Sequence, residues 1–166
     1  LFATLAPDIP VYINTLTFDF RGDLNEEILR EAIADVTRKN RILRTYFPPA
    51  RQDPRQVVSR AEKELRQELI DLSQLEPEAA EAEARRLIQA DARETLDLCQ
   101  EPPFRVRRLR LSDTRRILIL SIHHILLDAK SEPLLGRRIA AGYRALIQGA
   151  EPPPADPVQY ADYAAW

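Results

Sequence analysis

The sequence predicts an α/β (α+β) domain in which a central, mostly antiparallel or mixed sheet is flanked by helices. Three observations carry that prediction. Residues 104–111 and 117–122 read as a hairpin whose second arm, Ile117-Leu118-Ile119-Leu120-Ser121-Ile122, lacks the polar alternation of a half-exposed strand. The stretches 25–39, 78–94 and 131–148 carry apolar residues at helical spacing or a composition rich in helix formers. A length of 166 residues with 45% apolar and 30% charged side chains has the balance of one globular domain, about 100–200 residues.

The elements follow in order. Residues 11–20 interleave Val11, Ile13, Thr15 and Thr17 with Tyr12, Leu16, Phe18 and Phe20, which favours a largely buried strand. Gly22-Asp23 turns the chain into a helix over 25–39, with Leu24, Ile28, Leu29, Ala32, Ile33 and Val36 on one face and Asn25 as its cap. Residues 42–47 read as a strand start cut off by Pro48-Pro49. Asp53-Pro54 marks a loop before a short strand at 56–58, and another strand is expected at 68–72. Ser73 and Pro77 announce the helix over 78–94. Ser112-Asp113-Thr114 joins the hairpin arms, and a helix over 131–148 is stopped by Gly149. Pro152-Pro153-Pro154 then forms a stiff connector to an aromatic-rich end, residues 158–166.

Charge and cysteine content narrow the function classes. Twenty-four basic and 26 acidic side chains leave a net charge of −2, which is no electrostatic footprint for nucleic acid or an anionic membrane. The single Cys99 forms no internal disulfide and lacks activating neighbours, so it reads as a packing residue in a reducing compartment. No apolar run approaches the ~18 residues of a membrane span, and no leader pattern opens the chain, so a cytoplasmic location is expected. The absence of methionine and the abrupt start at Leu1-Phe2-Ala3 point to a piece of a longer protein.

Chemistry concentrates where the apolar arm ends in His123-His124. An imidazole in an apolar setting must find hydrogen-bond partners. Adjacent side chains on extended backbone point to opposite faces, so one imidazole is expected inside and the other facing a cleft. Asp128, four positions on, either holds an imidazole tautomer or pairs with an arginine, for which Arg44 is the candidate. A purely structural role for the histidine pair fits the spacing equally well. A metal centre does not, because adjacent strand histidines diverge and the chain has no third histidine or second cysteine.

At this point the residues resemble the condensation domains of nonribosomal peptide synthetases, members of the chloramphenicol acetyltransferase-like superfamily. Residues 38–47, Arg-Lys-Asn-Arg-Ile-Leu-Arg-Thr-Tyr-Phe, are similar to that family's Arg-His-Glu-x-Leu-Arg-Thr-x-Phe block, with His-Glu replaced and one extra residue between the arginines. Ser121 through Ala129 resembles the His-His-x-x-x-Asp-Gly block, and residues 160–166 resemble Tyr-x-Asp-Tyr-Ala-x-Trp. Leu96-Asp97-Leu98 through Pro103-Phe104-Arg105-Val106 is similar to the Phe-Asp-Leu and Gly-Pro-Leu-x-Arg run that precedes the hairpin. The blocks occur in the family's order and span nearly the whole chain.

The resemblance implies a chloramphenicol acetyltransferase-like lobe. Residues 1–166 would be the N-terminal lobe of a condensation domain, contributing one wall of a two-lobed V, with the C-terminal lobe absent. It implies amide formation between a thioester donor and an amine acceptor, each tethered by phosphopantetheine to a peptidyl or acyl carrier protein, in a parent chain with an adjacent adenylation domain. The chain itself would bind no cofactor or metal. His124 would be the general base or the acceptor that orients the amine, and His123 the inward, structural imidazole. Asp128 would pair with Arg44 and hold the loop. One departure is Ala129, which replaces the family's glycine. It motivates a second expectation, a catalytically impaired carrier-docking module. Epimerisation or ester formation on the same scaffold is a third. The half-domain alone is expected to be inactive.

Overall fold

The computed structural model describes residues 12–49, 55–60, 65, 67–100 and 102–166. Val11 and the loop expected at Asp53-Pro54 lie outside these residues. The chain divides into two compact units: one comprises residues 1–24, 66–96 and 104–125, the other 25–65, 97–103 and 126–166.

The first unit is built on a four-stranded sheet. β1 (Ile13–Arg21), β4 (Gln67–Asp71), β5 (Phe104–Ser112) and β6 (Arg115–His123) lie in the order β1-β6-β5-β4. β6 is antiparallel to both neighbours and β4 runs parallel to β5, so the sheet is mixed as the sequence predicts. The apolar arm is this interior strand: Arg116 through His123 are all buried. Helix α2 (Pro77–Arg93) covers one face. Its Ala80, Ala84 and Leu87 pack against Leu109, Leu111, Ile117 and Ile119, because side chains two apart on a strand share a face. Pro77 stands in the first turn of α2, where its missing N–H costs nothing. At the far end of the hairpin, the N–H of Gly22 (φ 107°) donates to the Thr114 carbonyl, which ties the start of the chain to the turn.

β1 differs from expectation. It is an edge strand whose described residues are half-buried or exposed and never fully buried. β-branched and aromatic residues suit any pleated surface, and do not distinguish an edge from an interior position.

The second unit pairs α1 (Glu26–Lys39) with α3 (Glu132–Ile147). The Asn25 carboxamide accepts the Ile28 N–H at 3.1 Å, capping α1 as its sequence predicts. Gly149 (φ 67°) lies just beyond α3, in the left-handed region that ends helices. The strand expected at 42–47 is instead a 3₁₀ turn, Arg41–Arg44, followed by the two-residue β2 (Thr45–Tyr46), which pairs with β3 (Val57–Val58). The turn closes locally: the Leu43 N–H donates to the Asn40 carbonyl and the Thr45 hydroxyl donates to the Arg41 carbonyl. The proline connector is held by cations, Lys39 on the carbonyls of Pro152 and Pro153 and Arg138 on that of Pro154. A short helix, α4 (Tyr160–Ala165), follows, and Arg41 pairs with its Asp162 at 3.2 Å.

Candidate active site

The histidine pair stands at the end of β6, in the first unit. His123 is the Cα partner of Ile13 and only 8% exposed, whereas His124, the first residue past the strand, is exposed. The pair thus divides into a buried ring and an exposed one. The His123 Nδ1 accepts the Ile125 N–H at 3.1 Å. An accepting Nδ1 carries no proton, so the neutral ring holds its hydrogen on Nε2. The Tyr12 ring lies with its centroid 5.9 Å from that of His123. Burial pushes the His123 pKa below its usual value, and the neighbouring His124 charge adds to the effect.

His124 is fixed by its backbone, and among the described residues no side-chain hydrogen bond holds its ring. Its N–H donates to the Tyr12 carbonyl at 2.7 Å, which extends the β1–β6 ladder one step beyond the strand. The result is an exposed imidazole on an anchored backbone. Tyr12 holds one histidine with its carbonyl and flanks the other with its ring. Sequence reasoning missed it, because its role depends on strand register.

Asp128, Ala129 and Arg44 belong to the second unit. The Asp128 carboxylate accepts the Ser131 hydroxyl at 2.6 Å and the Ser131 N–H at 2.8 Å, and its carbonyl accepts the Glu132 N–H at 3.2 Å. These bonds place Asp128 at the entrance to α3, where it satisfies an amide in the turn leading into the helix. The Ser131 hydroxyl is the main influence holding its carboxyl below the ordinary carboxylate range, followed by the Ser131 amide. Arg44 donates from Nη1 to the Ser59 carbonyl beside the β2–β3 pair. Among the described residues, the expected Arg44–Asp128 ion pair is not formed. Ser131, only three residues away, engages the carboxylate with little cost in chain closure. An Asp three residues before a Ser at the start of a helix is the local side-chain-to-backbone pattern that points to this partner. Ala129 is exposed in the turn between them.

The condensation-domain family model matches residues 1–166. The chain is 36% identical over 99% of its length to phosphinothricin tripeptide synthetase PhsB of Streptomyces viridochromogenes, covering 14% of that protein. It is 34% identical over 95% of its length to the isonitrile lipopeptide synthase of Mycobacterium tuberculosis, covering 6%. The chain thus spans a small part of the curated relatives it matches. Its fold is similar to the starter condensation domain of the rhizomide synthetase RzmA, with a TM-score of 0.85 at 25% identity, over 98% of this chain and 38% of that one.

Proposed function

The chain belongs to the condensation-domain family, and from that premise we propose that it is the N-terminal lobe of a domain that forms amide bonds between carrier-bound substrates. The donor is an acyl thioester and the acceptor an amine, each held on the phosphopantetheine arm of a peptidyl or acyl carrier protein. The other partners are the remaining lobe of the domain and an adenylation domain of the parent synthetase, in a cytoplasmic setting. That the chain covers 38% of the RzmA condensation-domain chain supports the half-domain reading.

His124 is the proposed catalytic residue. The observation that carries this assignment is its exposed imidazole on a backbone locked to the Tyr12 carbonyl, at the tip of a buried strand. The acceptor nitrogen attacks the thioester carbonyl carbon, forming the C–N bond while the C–S bond breaks. The proton lost by the nitrogen passes to His124 and from there to the departing thiolate, so atoms and charge balance. A thioester is already activated, which leaves positioning and one proton transfer for the protein to supply. His123 supports from within by accepting the Ile125 N–H, and Asp128 supports by fixing the entrance to α3.

The test is His124→Ala in the full-length parent, with product formation from loaded carrier proteins as the readout. A loss of about 10²–10⁴-fold is expected from removing a general base. Unchanged turnover removes the catalytic role. Ala129, where the family has glycine, favours a second reading, a docking module with impaired catalysis. Under that reading Ala129→Gly raises kcat, whereas an active parent that the exchange leaves unchanged excludes it.

A further inference from the structure

On the face of the sheet that packs against α2, one row of side chains is polar throughout. Thr15 of β1, Ser121 of β6 and Arg105 of β5 are Cα partners across three strands, one same-face step from the Ile13–His123 pair. Such partners have Cβ atoms about 4.5–5.5 Å apart. Asp91, near the end of α2 and 0% exposed, reaches the same row. Its Oδ1 lies 2.6 Å from the Arg107 Nη1 and 3.2 Å from the Arg105 Nη2, while Arg105 also pairs with Glu94.

These groups leave a set of polar atoms that are buried and make no hydrogen bond: the Thr15 Oγ1, the Ser121 Oγ, the Nε and Nη2 of Arg105, and the Asp91 Oδ2. They combine two guanidinium donors, a carboxylate acceptor and two hydroxyls able to do either. A buried polar atom that makes no hydrogen bond is costly, although the Arg105 Nη2 keeps its ion pair with the Asp91 Oδ1. Four of the five belong to that row and the fifth to α2; they are complementary in kind, yet no two of them hydrogen-bond to each other.

We propose that Thr15, Ser121, Arg105 and Asp91 enclose a buried water site, in which one or two ordered water molecules bridge the hydroxyls of β1 and β6 to the Arg105–Asp91 pair. A water needs two to four polar partners, and this row supplies them. The site ties the end of α2 to the last residues of the strand that carries His123, and it belongs to the first unit alone. It is independent of the catalytic reading.

A crystal structure of the intact condensation domain at about 1.5 Å tests the site. The expected result is a density peak at hydrogen-bonding distance, about 2.7–3.2 Å, from both the Ser121 Oγ and the Arg105 Nε. It should persist in Thr15→Ser and vanish in Ser121→Val. A direct bond from Ser121 to Arg105, or a dry contact, overturns the proposal. Thermal melting gives a second measure. Because Thr15 and Ser121 share the bridge, the Thr15→Val, Ser121→Ala double variant should lose less melting temperature than the sum of the two single losses. Additive losses count against it.

Discussion

Burial holds His123 below its ordinary pKa of 6.5, with the His124 charge as the lesser influence. The unfolded chain therefore binds this proton more tightly than the folded one. The stability that neutral His123 contributes is complete above about pH 6.5 and is lost as the pH falls from there through the depressed folded value. Melting temperature measured against pH should decline on that acid side. His123→Asn, whose side-chain oxygen can accept the Ile125 N–H without titrating, should flatten this part of the profile. An unchanged slope would assign the decline to other groups. Asp128 behaves in the opposite sense at lower pH, as a carboxylate held down by Ser131. Its contribution is present above its ordinary pKa of 3.8 and is lost as the pH falls through the lower folded value. In an NMR titration of the side-chain carboxyl carbons, Ser131→Ala should return the Asp128 midpoint toward the ordinary carboxylate range.

At the scale of elements, β6 and α2 hold the first unit together by different means. β6 contributes apolar area: Leu120 is fully buried, and Leu120→Ala is expected to cost about 2–5 kcal/mol in denaturant unfolding of the parent domain. At its end, α2 contributes a buried carboxylate between two guanidiniums. Burial raises the Asp91 carboxyl pKa, while Arg105 and Arg107 pull it down. Removing it in Asp91→Ala leaves both arginines short of a counter-charge at a cost of about 3–5 kcal/mol, measurable in the same experiment. A loss under about 1 kcal/mol would mean that Glu68 and Glu94, which also pair with these arginines, suffice. In the second unit, the 3₁₀ turn carries Arg41 to Asp162 and Arg44 to the Ser59 carbonyl, so two of the motif blocks recognised in the sequence meet through one short turn.

For the whole molecule, the half-domain reading predicts that the isolated 166-residue chain, supplied with loaded carrier proteins, gives no product above the uncatalysed background. Turnover by the chain alone would overturn it. Mixed sheet, flanking helices and interior strand were legible in the chain because apolar periodicity and turn residues act over a few positions. So was the division of His123 from His124, which needs only the alternation of a strand. Their roles as structural and reactive imidazole still rest on the His124→Ala experiment. The partner of Asp128 was misread, since a charged residue in an apolar stretch, Arg44, resembles a buried ion-pair partner until its actual acceptor is seen.

Local order along the chain thus specified which segments become strands and helices, and where the histidines lie among them. Tertiary pairing settled the rest. It placed β1 at an edge, set Tyr12 opposite the histidines, turned Asp128 to Ser131, and aligned Thr15, Ser121 and Arg105 in one polar row. For Tyr12 and the polar row the reason is register: sliding a strand by one residue exchanges its two faces, and nothing in the composition of the strand records which neighbour it will meet.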